Sequence, residues 1–254
     1  MLDLVTIPCL ADNYAYLIHN PTTGATALID VPEAAPILAA LAARNWTLST
    51  ILLTHHHADH IQGVAELVAA TGAQVVGAKA DAHRLPPLDL AVAEGDRPEI
   101  CGEPAQVIDV SGHTMGHIAL VFPQSNLAFT ADSLMAGGCG RLFEGSPATM
   151  YASMAKVAAL PGDTLICSGH EYTTANLRFA ATIEPQNPDL QVRIARVAAA
   201  RAKGQATVPS QLSEELATNP YLRAHLPAVK AAVGLAGASD AEVFAEIRAR
   251  KDKF

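Results

Sequence analysis

Short apolar runs rich in β-branched residues recur through the first two thirds of this 254-residue chain and then stop. They are "LVTI" at 4–7, "YAYLIH" at 14–19, "ATALIDV" at 25–31, "TILLT" at 50–54, "AQVVGA" at 73–78, "AQVIDV" at 105–110, "IALVF" at 118–122, "LAFTA" at 127–131 and "TLICSG" at 164–169. Gly, Pro, Asn and Asp punctuate them, as they punctuate strands. The first three follow in quick succession, with a turn-like "NPTTG" at 20–24, which predicts antiparallel pairing. Alanine- and leucine-rich segments of helical period lie between later runs, at roughly 33–45, 60–71 and 148–159. This order suits a layered α/β domain with a mixed sheet. After about residue 171 only helical spacing remains, with Ser210 and Ser239 as expected N-caps and Gly204 as an expected helix stop. A helical appendage is therefore expected over 171–254, behind an α/β domain over 1–170.

Half of the residues are hydrophobic, enough for a substantial core. The formal net charge of -8 disfavours a nucleic-acid partner, which needs a basic face against phosphates. Cys9, Cys101, Cys139 and Cys167 are far apart and form no CxxC pair, so neither a disulfide framework nor a thiolate zinc site is expected. A reduced, cytoplasmic compartment is the simplest reading. The first residues, "MLDLVTIPCL", lack the basic and apolar regions of a signal peptide. No apolar run reaches the roughly 18 residues of a membrane span.

The chemistry gathers at the ends of the runs. His55, His57, Asp59 and His60 follow "TILLT", His113 follows "AQVIDVSG", Asp132 follows "LAFTA" and His170 follows "TLICSG". Strand ends on one sheet edge converge in layered α/β proteins, and sites form there. Imidazole and carboxylate suit zinc, iron and manganese alike. A catalytic zinc takes about three protein ligands, so this set is too large for one ion and suits two that share a bridging carboxylate. In extended backbone, residues i and i+2 project to one side, so His55 and His57 can grip one ion while Asp59 and His60 turn toward the other. His56 alternates with them and is read as structural. His117 is read as a supporting loop histidine, and His19, His83 and His225 as ordinary.

These blocks resemble the metallo-β-lactamase superfamily: "THHHADH" at 54–60, "SGHTMGH" at 111–117, "TADSL" at 130–134 and "SGHEYT" at 168–173. Within it the chain is similar to glyoxalase II, the hydroxyacylglutathione hydrolases. That closer likeness rests on "IPCLADNYAYLI" at 7–18, "GCGRLFEG" at 138–145, "GHEYTTANLRFA" at 169–180, "NPYLR" at 219–223 and "IRARKDKF" at 247–254. The resemblance implies a four-layer αββα domain followed by a helical substrate-binding domain. It implies one metal on His55, His57 and His113, another on Asp59, His60 and His170, and Asp132 between them. It implies two divalent ions, zinc ahead of iron or manganese. It also implies that Arg141, Phe143, Tyr172, Arg248 and Lys251 receive the glutathione moiety of a thioester.

Five positions depart from the family pattern. Ser111 stands where Pro is common, Ala131 and Ser133 flank Asp132 where Gly and Thr are common, Arg141 replaces a lysine, and Phe143 lacks a tyrosine hydroxyl. None removes a metal ligand. The implied reaction is attack of hydroxide, generated between the two ions, on a thioester carbonyl such as that of S-D-lactoylglutathione. The leaving thiolate needs no strong general acid, and Asp59 and Asp132 are the acidic groups at the reacting centre. Cys139 and Cys167 are read as packing residues. Arg248 and Lys251, at i and i+3 of a terminal helix, would clamp substrate carboxylates despite the acidic net charge. Rival readings are a one-iron persulfide dioxygenase, a lactonase or β-lactamase, a nuclease, and a non-catalytic metal-binding protein. A monomer without nucleic-acid or membrane partners is expected.

Overall fold

All of Met1–Phe254 is described by the computed structural model, and the chain divides into two compact units. The first comprises Met1–Asp109 with Thr114–Thr130. Its elements in order are β1 (Asp3–Cys9), β2 (Asn13–His19), β3 (Thr26–Ile29), α1 (Ala34–Arg44), β4 (Leu48–Leu53), α2 (Ala58–Ile61), α3 (Val64–Thr71), β5 (Gln74–Ala78), β6 (Leu90–Val92), β7 (Glu99–Ile100), β8 (Glu103–Pro104), β9 (Gln106–Asp109), β10 (Ile118–Phe122) and β11 (Leu127–Ala131). Strands β1 to β6 form a sheet in sequence order. The first three pair antiparallel, as their quick succession implied, with Leu17 opposite both Val5 and Leu28. From β3 onward the pairing is parallel, because helices α1 and α3 carry the chain back between strands.

Every residue of β2 is buried, which explains a run with no polar alternation. On one face of the sheet Leu17, Leu28, Ile51 and Leu53 pack with Ile37 and Leu41 of α1 and Val64 and Leu67 of α3. The opposite face meets a second sheet, where the Tyr16 ring lies 5.6 Å from Phe129 of β11. There β10 is the centre of an antiparallel set, pairing Leu120 with Phe129 on one side and with Val107 on the other. Helix, sheet and sheet thus form three successive layers.

The helix expected over 60–71 is two pieces. The break falls at Gly63, whose N–H donates to Val31 O at 3.0 Å. A Cβ at Gly63 would meet Ala34 N and Val31 Cγ1 at 2.9 Å, so only glycine permits this approach to the β3–α1 turn. The short β6, β7 and β8 were not foreseen; they lie among charged residues and have no apolar period.

The second unit comprises Val110–His113 and Ala131–Phe254. It contains β12 (Leu134–Met135), β13 (Gly138–Cys139), α4 (Pro147–Ala158), β14 (Leu165–Ser168), α5 (Thr173–Ile183), α6 (Pro188–Arg201), β15 (Ser210–Gln211), α7 (Leu212–Thr218), α8 (Pro227–Ala232) and α9 (Asp240–Asp252). Ser239 caps α9 with a full capping box: its Oγ accepts from Glu242 N, and the Glu242 carboxylate accepts from Ser239 N. Gly204, at φ 69°, closes the turn that ends α6. Ser210 is not a cap. It lies in β15, paired with Ile166, and its Oγ donates to Glu215 Oε1 at 2.6 Å, while Gln211 holds the N-cap position of α7. The segment after 171 therefore contains one short strand, because that hydroxyl has a buried carboxylate to bind.

Glu215 is fully buried and serves several elements at once. It pairs with Arg193 of α6, accepts from Gly137 N at 2.8 Å and accepts from Asn219 Nδ2 at 3.1 Å. Asn219 also donates to Gly138 O at 2.9 Å. This network fixes the β12–β13 hairpin that leads directly into Arg141. No helix is long and apolar enough to cross a membrane.

Candidate metal centre

In the first unit, β4 ends at Leu53 and the backbone stays extended to His57, the N-cap of α2 (φ −63°, ψ 142°). The alternation brings the His55 and His57 rings to 4.8 Å, and α2 brings His60 to 4.2 Å from His55. Asp59, also on α2, is held by Asn13, whose Nδ2 donates to its Oδ2 at 3.0 Å and to its backbone O at 3.1 Å.

Hydrogen bonds set the tautomers. Asp30, just beyond β3 and 2% exposed, accepts from Thr54 N at 2.9 Å, from Thr54 Oγ1 at 2.8 Å and from His60 Nδ1 at 2.7 Å. The Thr54 hydroxyl proton is thereby engaged, so Oγ1 accepts from His55 Nδ1 at 3.1 Å. With both protons on Nδ1, Nε2 of His55 and of His60 carries the lone pair that a metal requires. Asp30, His55 and His60 have donor atoms within 4.8 Å of one another. With three donors on its oxygens, Asp30 orients imidazoles rather than ligating. His117 stacks on His55 at 4.6 Å, and His56 turns to Asp81 at 3.0 Å, where Arg84 also binds.

In the second unit, His113 donates from Nδ1 to Arg141 O at 2.7 Å, which leaves the lone pair on Nε2. That Nε2 lies 3.4 Å from Asp132 Oδ2, and His170 Nε2 lies 3.4 Å from the same oxygen. One carboxylate oxygen shared by two imidazole nitrogens is the arrangement expected of a carboxylate between metals. Gly140 packs against the backbone of Asp132: a Cβ there would fall 1.8 Å from the Asp132 carbonyl oxygen and 3.1 Å from His113 Nδ1. Ala131 precedes Asp132 at φ 41°, the left-handed region that favours glycine. Its carbonyl accepts from Gly169 N at 3.1 Å, which ties the Asp132 turn to the His170 turn.

The donor set within each unit is imidazole and carboxylate, largely buried, and His55, His60 and His113 are held with the proton on Nδ1. It fits divalent ions of borderline hardness. The residues that the resemblance implies for the substrate lie in the second unit. Phe143 is exposed and packs edge-on against His113 at 5.3 Å, with the Arg141 guanidinium 6.0 Å from its ring. Tyr172 stacks on His170 at 4.7 Å. Arg248 is buried over the Tyr221 ring, donates to Cys139 O at 3.0 Å and already grips a carboxylate, Asp252. Lys251 donates to Ala175 O at 3.1 Å, beside the rings of Phe179 and Phe254. Burial pushes the Cys139 thiol up to about 11 and raises that of Cys167 further, which makes both inert packing residues at neutral pH.

The supporting residues Asp30, Thr54, Asn13 and Asp81 were not singled out from the sequence. Asp30 had a usable signal, since it follows an apolar run as the ligands do.

Two family models match the chain. One, described as the metallo-beta-lactamase superfamily, covers 12–170; the other, described as hydroxyacylglutathione hydrolase C-terminus, covers 171–254. A hydroxyacylglutathione hydrolase of Cereibacter sphaeroides is 66% identical over 253 residues, covering 100% of this chain and 99% of its own. One of Jannaschia sp. is 64% identical, covering 99% of this chain and 98% of its own. Among solved structures, ETHE1 from Myxococcus xanthus is 25% identical with TM-score 0.66, over 98% of this chain and 90% of its own. TTHA1623, solved in a di-iron-bound form, is 31% identical with TM-score 0.56, over 66% of this chain and 91% of its own.

Proposed function

Since the chain belongs to the metallo-β-lactamase superfamily and, within it, to the hydroxyacylglutathione hydrolases, we propose that it hydrolyses the thioester of S-D-lactoylglutathione. The products are glutathione and D-lactate, which places the enzyme in methylglyoxal detoxification. What carries this reading is likeness over the whole chain, including the 171–254 segment that a metal site alone would not require.

His55, His57 and His113 would hold one divalent ion, and Asp59, His60 and His170 the other, with Asp132 common to both. Zinc is the proposed ion, and iron or manganese is equally compatible with these donors. When bound, the ions supply Lewis acidity and bring the pKa of water toward neutrality. The chain's own residues do the rest. Asp30 and Thr54 keep the protons of His60 and His55 on Nδ1, and Arg141 O keeps that of His113 there. Asn13 fixes the Asp59 carboxylate, which orients the nucleophile. The segment following Gly140 has two duties: its backbone holds His113, while Arg141 and Phe143 face the glutathione moiety together with Tyr172, Arg248 and Lys251. Residues 1–170 are then the catalytic domain and 171–254 the substrate-binding domain. The buried free thiols support a reducing cytoplasm, and the net charge of -8 supports a protein without a nucleic-acid partner.

The test is hydrolysis of S-D-lactoylglutathione, followed by loss of thioester absorbance, with metals quantified on the same sample. Turnover with about two metals per chain is expected. No turnover by a metal-replete sample would overturn the substrate assignment.

A further inference from the structure

We propose that Asp252 is a built-in stand-in for the substrate carboxylate: it occupies the arginine clamp in the ligand-free protein and sets the clamp's affinity. The inference rests on the reading of Arg141, Arg248 and Lys251 as the glutathione site.

Arg248 is the fixed half of the clamp. Its Nη1 is held by Cys139 O, and its guanidinium lies 5.5 Å from the centre of the Tyr221 ring. The remaining edge, Nε and Nη2, converges on one oxygen, Asp252 Oδ1, at 3.1 and 2.7 Å. Arg141 Nε approaches that same oxygen at 3.9 Å. One carboxylate oxygen thus stands between the two arginines assigned to substrate. Lys251, one residue before, contacts a carbonyl and two aromatic rings but no carboxylate. Its pKa is lowered, first by burial and then by the nearby Arg248 and Arg178 charges, with Asp252 acting in the opposite direction.

The placement of Asp252 makes little sense as helix chemistry. It is the last residue of α9, where the helix dipole disfavours an acid. The pair also runs Arg then Asp over i,i+4, the less favourable order. What recommends the position is the arginine edge itself. A buried guanidinium without a counter-charge is costly, so some carboxylate must sit there whether or not substrate is present. Asp252 can also leave. Its side chain is 41% exposed against 7% for Arg248, so it can swing into solvent when a better partner arrives. An incoming carboxylate can offer two oxygens to the fork where Asp252 offers one, and bidentate pairing is stronger.

Calorimetric titration of the metal-loaded protein with glutathione tests this. Removing the competitor with Asp252→Asn should tighten glutathione binding roughly 3- to 10-fold and lower KM for the thioester by a similar factor. The gain should vanish with glutathione diethyl ester, which has no carboxylate. Asp252→Ser, with a melting curve for each variant, guards against misfolding and should behave alike. If Asp252 merely positions Arg248, binding will weaken or stay the same in both variants, and the proposal is overturned. Failure of the unsubstituted protein to bind glutathione would instead overturn the glutathione site itself and the stand-in with it.

Discussion

Asp30 shows how much of the centre depends on a residue that touches no substrate. Its carboxylate takes three donors within 3 Å and so decides which nitrogen of His60, and through Thr54 which nitrogen of His55, carries a proton. Asp30→Asn would place an amide N–H₂ against one of those donors and release the tautomers. Such orienting partners commonly contribute 10- to 100-fold to metal affinity. A competition titration with a chromogenic chelator is expected to show a loss of about that size in Asp30→Asn. Unaltered affinity would mean that the rings are held by packing alone. Ala131 illustrates the opposite economy. Its φ of 41° costs on the order of 1–2 kcal/mol in an L-residue, tolerated because the turn sets Asp132 and binds Gly169.

Between elements, the dominant device is the buried Arg193–Glu215 pair, with side chains 1% and 0% exposed. Glu215 joins α6, α7, β15 and the β12–β13 hairpin, and the hairpin delivers Arg141. Breaking a buried pair leaves an uncompensated charge and costs about 3–5 kcal/mol. Glu215→Gln should therefore lower unfolding free energy in urea by about that much, whereas a change below about 1 kcal/mol would place the pair among weak surface contacts. Helix α9 depends on a more local signal: its capping box is visible in "SDAE", and the structure forms it as written.

For the whole molecule, the proposed set of seven ligands implies that bound metal stabilises the native state over the unfolded one. Adding zinc to chelator-stripped protein should raise Tm in a concentration-dependent way. The stabilisation would be about 4 kcal/mol at a thousandfold excess over Kd. A Tm indifferent to zinc would contradict a centre built by these residues. The sequence by itself determined the strand runs, the antiparallel start, the position of α9 and the clustering of His55, His57, Asp59 and His60 at a strand end. It did so because period, capping and donor chemistry are local properties of adjacent residues. Only the tertiary structure decided that Asp30 directs His60 across 30 residues, that Gly63 breaks a helix to meet Val31, that Ser210 serves Glu215 in a strand, and that Arg248 reaches Cys139 across 109 residues. Those choices come from burial. A polar group sealed from water takes whatever partner the folded strands and helices bring within reach, and nothing periodic in the chain announces which one that will be.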